Sequence, residues 1–331
     1  MGMLTYILRR ILLAIPLVIL ISMLCFIIIQ LPPGDYISSY RAMVAARGGW
    51  VKDVVLNMLR ERYGLDQPFY VQYWKWVSGF PKGDFGIAMS LSNTPVGELL
   101  RERLPLTLIL NFLAFLFTMS VAIPIGVFSA THKYSIGDYL LTFVAFLGIS
   151  IPGFVLALVI IFMSVFVFGS SYIGHLFSYE FVDSAWSWAR VLDFMKHLPA
   201  PILAIGVAGF CNSMRIMRGN MLDVLGQQYI QTARAKGLRE KIVIRRHAMR
   251  IAINPIISRV GVYLPEILAT EMLVSIVLNL PTIGPLFYQS LLAQDMYLAG
   301  TILLIIAVML VIGNLLADIF LAWSDPRIRF S

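Results

Sequence analysis

The side chains in this chain best placed to do chemistry are three acids within otherwise apolar runs, Glu266, Glu271 and Asp318. A carboxylate in lipid is costly, so such groups face a pathway or a partner. A proton-coupled carrier would use them. The plainer reading is that they make hydrogen bonds between helices or line a wet cavity between two subunits. Elsewhere chemistry is sparse. The four histidines, His132, His175, His197 and His247, fall on different segments without HExxH or a Cys/His cluster, which argues against a metal centre. No GxxxxGKS/T occurs, so no P-loop cradles nucleotide phosphates, and no GxSxG nucleophile elbow occurs. If ATP drives this protein, another chain binds it.

The densest charge is basic. Between Asp223 and Pro255 stand Arg234, Lys236, Arg239, Lys241, Arg245, Arg246 and Arg250 against Asp223 and Glu240, with long apolar runs on both sides. A basic segment so placed belongs on the cytoplasmic side of a membrane. Leu225, Tyr229, Thr232, Ala233 and Lys236 recur at helical spacing and predict a helix over Asp223 to Lys236. Gly237 supplies the left-handed residue that ends it, and Arg234 and Lys236 suit the dipole of the last turn. Alone, a helix of this length is marginal in water, so packing must hold it. The small residues Ala233, Ala235 and Gly237 would let another surface approach closely. The segment reads as a docking element for a soluble partner or as a solvated linker between two spans.

The elements that must position these residues are membrane helices. The chain has 331 residues, 59% hydrophobic and 13% charged, with a mean hydropathy of +0.82. A soluble domain of this size could not hide that much apolar surface. Cys25 and Cys211 lie in apolar runs without a CxxC partner and read as small core residues. Ile11 to Ile29 is nineteen residues without a charge after Arg9 and Arg10, long for the apolar region of a signal peptide, and reads as an uncleaved first span with Pro16 inside it. Further spans are expected over Leu104 to Ala130, Tyr139 to Gly169, Leu198 to Met214, Ile256 to Leu280 and Met296 to Trp323. The third is interrupted at Ser150, Ile151, Pro152 and Gly153. That break frees backbone carbonyls, so it either lines a translocation path or is a packing kink.

Leu31 to Arg103 is the sizeable non-membrane segment. It predicts a short amphipathic helix over Lys52 to Arg62 capped by Gly64, and a helix start at Thr94 with Pro95 at the first position and Glu98 in the first turn. Its aromatic cluster, Phe69, Tyr70, Tyr73, Trp74 and Trp76, marks a membrane interface or lines a ligand surface. The turn LPTIGPLF and the stretch Tyr288 to Asp295 read as external. The charges fit this topology. The net +8 is concentrated on the inner segments, which hold 15 Lys and Arg against four acids, while the outer segments hold 11 of each. The excess follows the membrane and does not point to nucleic acid.

YIQTARAKGL followed by RRHAMRIAINP resembles the cytoplasmic loop of permease subunits of dipeptide and oligopeptide ATP-binding-cassette (ABC) importers. In that family the loop forms the coupling helix seated on the ATPase. Set against the general importer motif Glu-Ala-Ala-three residues-Gly, with its Gly on Gly237, the leading positions fall on Gln231, Thr232 and Ala233, of which the last matches. LDQPFYVQYWKW and GDFG resemble the family's external loop, LPTIGPLF its LPG-I/L-G turn with Thr282 where glycine is usual, and DPRIRF its closing segment. Ser275 stands where the family usually has an acid.

The resemblance implies an all-α integral membrane protein with six transmembrane helices. Its core is that of a type I ABC importer permease (MetI-like), with an extra N-terminal span and an extracytoplasmic loop region. The boundaries are 1–31 for the first span, 32–103 for the extracytoplasmic region, 104–324 for the five-span core with its coupling loop at 218–256, and 325–331 for a cytoplasmic tail. The site implied for ATPase coupling is Tyr229, Gln231, Thr232, Ala233, Arg234, Ala235, Lys236 and Gly237. Ser150, Pro152 and Glu271 are expected on the translocation path, and Asp84 and Phe85 at the contact with a binding protein. The implied partners are a homologous second permease subunit, two ABC ATPases that hold ATP and Mg, an extracytoplasmic solute-binding protein and the lipid bilayer. No cofactor and no catalysis belong to this chain. The setting is a bacterial or archaeal cytoplasmic (inner) membrane, with both termini inside. Peptides are the first solute class implied; oligosaccharides, nickel chelates and opine-like compounds stay open, as does an ion-coupled secondary carrier using the intramembrane acids.

Overall fold

The computed structural model describes residues 3–91, 94–167, 169, 174–182 and 184–324. Its regular elements are helical, apart from an isolated bridge between Ile87 and Pro95. Four helices among the described residues are long and apolar enough to cross a membrane: Ile7–Gln30, Val96–Thr131, Pro199–Leu225 and Met296–Leu316. Two bent pairs, Ile136–Ser150 with Gly153–Val167 and Glu240–Gly261 with Glu266–Val277, raise the number to six if each is one span. The chain divides into two compact units, one built from Ile11–Thr107 and Thr282–Val311, the other from Met1–Arg10, Leu108–Pro281 and Ile312–Ser331.

The first of these units holds most of α1 (Met3–Gln30), then α2 (Tyr36–Ala46), α3 (Asp53–Tyr63), α4 (Phe69–Val77) and the start of α5 (Val96–Thr131). The stretch read as an external loop is thus largely helical. Asp35 caps α2, its carboxylate accepting from Ser38 N–H while Ser38 Oγ takes the Asp35 amide. Gly64, at φ +67°, closes α3. The aromatic cluster divides across α4. Trp76 is buried and donates from Nε1 to Thr301 Oγ1 at 3.1 Å, whereas Tyr70 and Trp74 are exposed. LPTIGPLF is no mere turn: Ile283–Leu292 forms α14, which buries Ile283, Leu286 and Ser290. Between α14 and α15 (Met296–Ser324), the buried Asp295 carboxylate accepts from Ser90 N and Ser90 Oγ, both at 2.8 Å, and from Leu298 N at 3.2 Å.

The other unit is organised on α9 (Pro199–Leu225), which follows α8 (Trp188–His197) and whose 27 residues span about 40 Å. The span expected over Leu198 to Met214 falls short of this helix. The helix instead runs eleven residues past Met214, because Arg218 meets Asp138 and its charge needs no loop to reach water. Against α9 lie α6 (Ile136–Ser150) and α7 (Gly153–Phe162), which meet at a bend of 101°. Tyr139 to Gly169 is therefore not one straight span. Pro152 holds Ile151 in an extended conformation, φ −97° and ψ 116°, and caps α7. Two glycines allow the approach of this bent pair to its neighbours. A Cβ on Gly148 would collide with Cys211 Sγ, and one on Gly153 would lie 2.7 Å from Thr270 Cγ2 and 2.8 Å from Ala204 O. Cys25 and Cys211 are both buried thiols. Arg10 meets Asp318 at 2.9 Å, so that intramembrane acid pairs between helices. The tail with Arg327 and Arg329, and the DPRIRF segment, lie outside the described residues.

Candidate functional site

The basic loop hangs from the end of α9. Gly226 and Gln227 separate α9 from α10 (Gln228–Ala235), so the helix expected from Asp223 is two pieces, and Asp223 belongs to the longer one. Ile230 and Ala233, three residues apart on one face of α10, are buried with Met217, Met221 and Val224 of α9 and with Val243 and Ala248. Burial of apolar side chains at about 25 cal/mol per Å² holds this short helix where intrinsic propensity would not. Ala233 is thus packed inward, against α9. Gln231, Thr232, Ala235, Lys236 and Gly237 face outward.

Gly237 ends the helix at φ +74°. Its N–H donates to Arg234 O at 2.9 Å and that of Leu238 to Ala233 O at 3.4 Å, which is a Schellman turn. Arg234 folds across it onto Glu240, with Nη2 to Oε1 at 2.7 Å and Nε to Oε2 at 3.1 Å. That hydrogen bond holds the guanidinium pKa above its ordinary value. The chain then continues through α11 (Glu240–Ile242), a π-helical turn Val243–Ala248 and α12 (Met249–Ala252) into α13 (Asn254–Val277). Between 228 and 242 three large apolar side chains stay exposed, Tyr229 at 41%, Leu238 at 38% and Ile242 at 40%. They stand among the exposed cations Lys236, Arg239, Lys241, Arg245 and Arg246. A seated inner face beneath an outer face of mixed apolar and basic groups is able to receive a second protein.

The three residues expected on the path do not share one surface. Ser150 is exposed at the end of α6, its hydroxyl donating to Phe146 O at 2.8 Å, and Pro152 is exposed at the bend. Glu271 is fully buried on α13 and accepts from Ser275 Oγ at 2.6 Å. Ser275 therefore serves the acid one turn earlier. Glu266 is the half-exposed carboxylate of α13, with Arg259 at 3.5 Å. Of the two residues expected at a binding-protein contact, Asp84 is open to solvent and accepts from Gly86 N–H at 2.9 Å. Phe85 packs beside Ala88 and Val96 and against Phe80.

The family profile described as "Binding-protein-dependent transport system inner membrane component" matches residues 122–330, and its N-terminal companion matches residues 3–111. The chain belongs to this family. Among curated relatives of these inner membrane components, it is 36% identical to the oligopeptide transport system permease protein AppB of Bacillus subtilis, over 99% of this chain and 100% of that protein. It is 30% identical to the oligopeptide transport system permease protein OppB of Haemophilus influenzae, with the same coverage. A putative peptide transport system permease protein of Brucella abortus is 34% identical over 98% of each. This chain is an inner membrane component of a transport system, its regular elements among the described residues helical apart from one isolated bridge.

The site residues that spacing missed are Ile230, which seats α10, and Leu238 and Ile242, which widen its outer face. The i, i+3 pairing of Ile230 with Ala233 was a usable signal. For Asp138 and Arg218, 80 residues apart, no local pattern exists.

Proposed function

We propose that this chain is one permease subunit of an ATP-driven importer that moves peptides delivered by an extracytoplasmic binding protein. The observation that carries the reading is the outward face of 228–242, apolar and basic, on a helix whose inner face is locked to the end of α9. One of two ABC ATPases holding ATP and Mg receives Tyr229, Gln231, Thr232, Arg234, Ala235, Lys236 and Gly237 from below. A homologous second permease completes the pathway, and Asp84 belongs to the face that meets the binding protein. Both termini are cytoplasmic. The names of the relatives favour peptide as the solute over oligosaccharide, nickel chelate or opine. This chain works by differential binding of partners to two conformations and makes no covalent intermediate.

The test is reconstitution of the full complex in vesicles with labelled trialanine as probe. Uptake that requires both lumenal ATP and the binding protein, and that survives Glu271→Gln, is the expected result. Uptake driven by a proton gradient without ATP and abolished by Glu271→Gln would establish the ion-coupled carrier instead.

A further inference from the structure

Asp138 lies at the first turn of α6 and is 2% exposed. Arg218 of α9 engages it bidentately, with Nε to Oδ1 and Nη2 to Oδ2 both at 2.7 Å. Ser129 Oγ at the end of α5 donates to Oδ1 and the Tyr134 amide to Oδ2 at 2.9 Å. One carboxylate thus gathers α5, the link after it, α6 and α9. A buried ion pair is a poor route to stability alone, because desolvation offsets most of its attraction, so its directional geometry is its distinctive contribution. Tyr134 even adopts φ +65°, a conformation L residues avoid, while it makes its bond to Asp138.

Position gives that geometry a use. Arg218 is flanked by Met217 and Met221, which belong to the cluster that seats Ile230 and Ala233 of α10. Further along, α6 and α7 touch α9 through Gly148 and Gly153, and α9 meets α6 through weaker contacts, Cys211 Sγ donating to Val144 O at 4.0 Å and the Arg215 guanidinium lying 4.4 Å from the Phe146 ring. We propose that the Asp138–Arg218 pair is a positioning lock that fixes the register of the α6–α7 bend on α9. A displacement of α10 is then carried to the bend within the membrane; without the lock, α6 keeps only the weaker contacts around Phe146 and Gly148 to α9. The inference rests on the importer reading.

Asp138→Asn keeps one acceptor, for the Tyr134 amide, and turns an NH2 toward Ser129 Oγ, which is able to accept, while removing the charge. In the assembled complex the expected result is basal ATP hydrolysis at the wild-type rate, with its stimulation by the trialanine-loaded binding protein reduced about tenfold. Asp138→Glu restores the stimulation. Should Asp138→Asn fail to assemble, Arg218→Lys, which keeps the charge but not the fork, gives the same loss. Wild-type stimulation in either assembled variant, or equal loss of basal and stimulated hydrolysis, overturns the lock. A wild-type complex without any stimulation would instead refute the importer reading itself.

Discussion

Arg234 and Glu240 face each other across the turn that ends α10, joined by two hydrogen bonds of 2.7 and 3.1 Å. Both side chains are part-exposed, 36% and 54%, so the pair contributes less than about 1 kcal/mol to global stability. Its effect is local. Glu240→Gln should leave the thermal midpoint unchanged while amide exchange at Gly237 and Leu238 quickens. Unchanged protection there would mean the pair does not hold the turn.

Gly237 faces open space, with no atom within 4 Å of where a Cβ would stand, so the cost of replacing it is conformational. At φ +74° an L residue costs about 1 to 2 kcal/mol, and a β-branched one more. Gly237→Val should abolish stimulated ATP hydrolysis without affecting membrane insertion, whereas Gly237→Asn retains most of it. Equal activity of the two variants would remove the backbone from the explanation.

At Gly153 the obstacle is steric. The added methyl of Gly153→Ala would press on Ala204 O at 2.8 Å and Thr270 Cγ2 at 2.7 Å, and backbone does not yield as a flexible side chain does. A loss of about 1 to 3 kcal/mol follows, read as a lower unfolding temperature in detergent. No shift would show that α7 stands off from its neighbours.

Asp295 makes stability pH-dependent. Burial pushes its carboxyl pKa above the ordinary 3.8, against the opposing hydrogen bonds from Ser90 and Leu298. Its contribution is fully present below 3.8, where the group is neutral both folded and unfolded. As pH rises from there through the raised folded value, the unfolded chain releases its proton first and stability falls. Asp295→Asn should flatten that part of the unfolding profile, while costing about 1 to 3 kcal/mol for the acceptor it loses. A profile with the same slope in the variant would assign the dependence to another group.

Much of the fold was readable because membrane helices announce themselves. Ile11 to Ile29, Leu104 to Ala130 and Met296 to Trp323 each fall inside a continuous helix, since a run of apolar residues has few other ways to satisfy its backbone. Asp53–Tyr63 with Gly64 after it was equally plain, its cap being local. What stayed hidden depended on partners distant in sequence. The extension of α9 through Arg218 needed Asp138, the inward turn of Ala233 needed Met221, and the 101° bend at Pro152 could not be told from a modest kink by the proline alone. The segment 228–242 was visible as a charged loop, yet which of its faces looks outward was set by packing.

Cys25 and Cys211, both buried thiols, make the unaltered chain silent toward water-soluble maleimides, because a thiol must be reached as well as ionised to react. A single cysteine introduced at Lys236 or Ser150 would be the sole reporter on an otherwise native background, with no preliminary removal of natural residues.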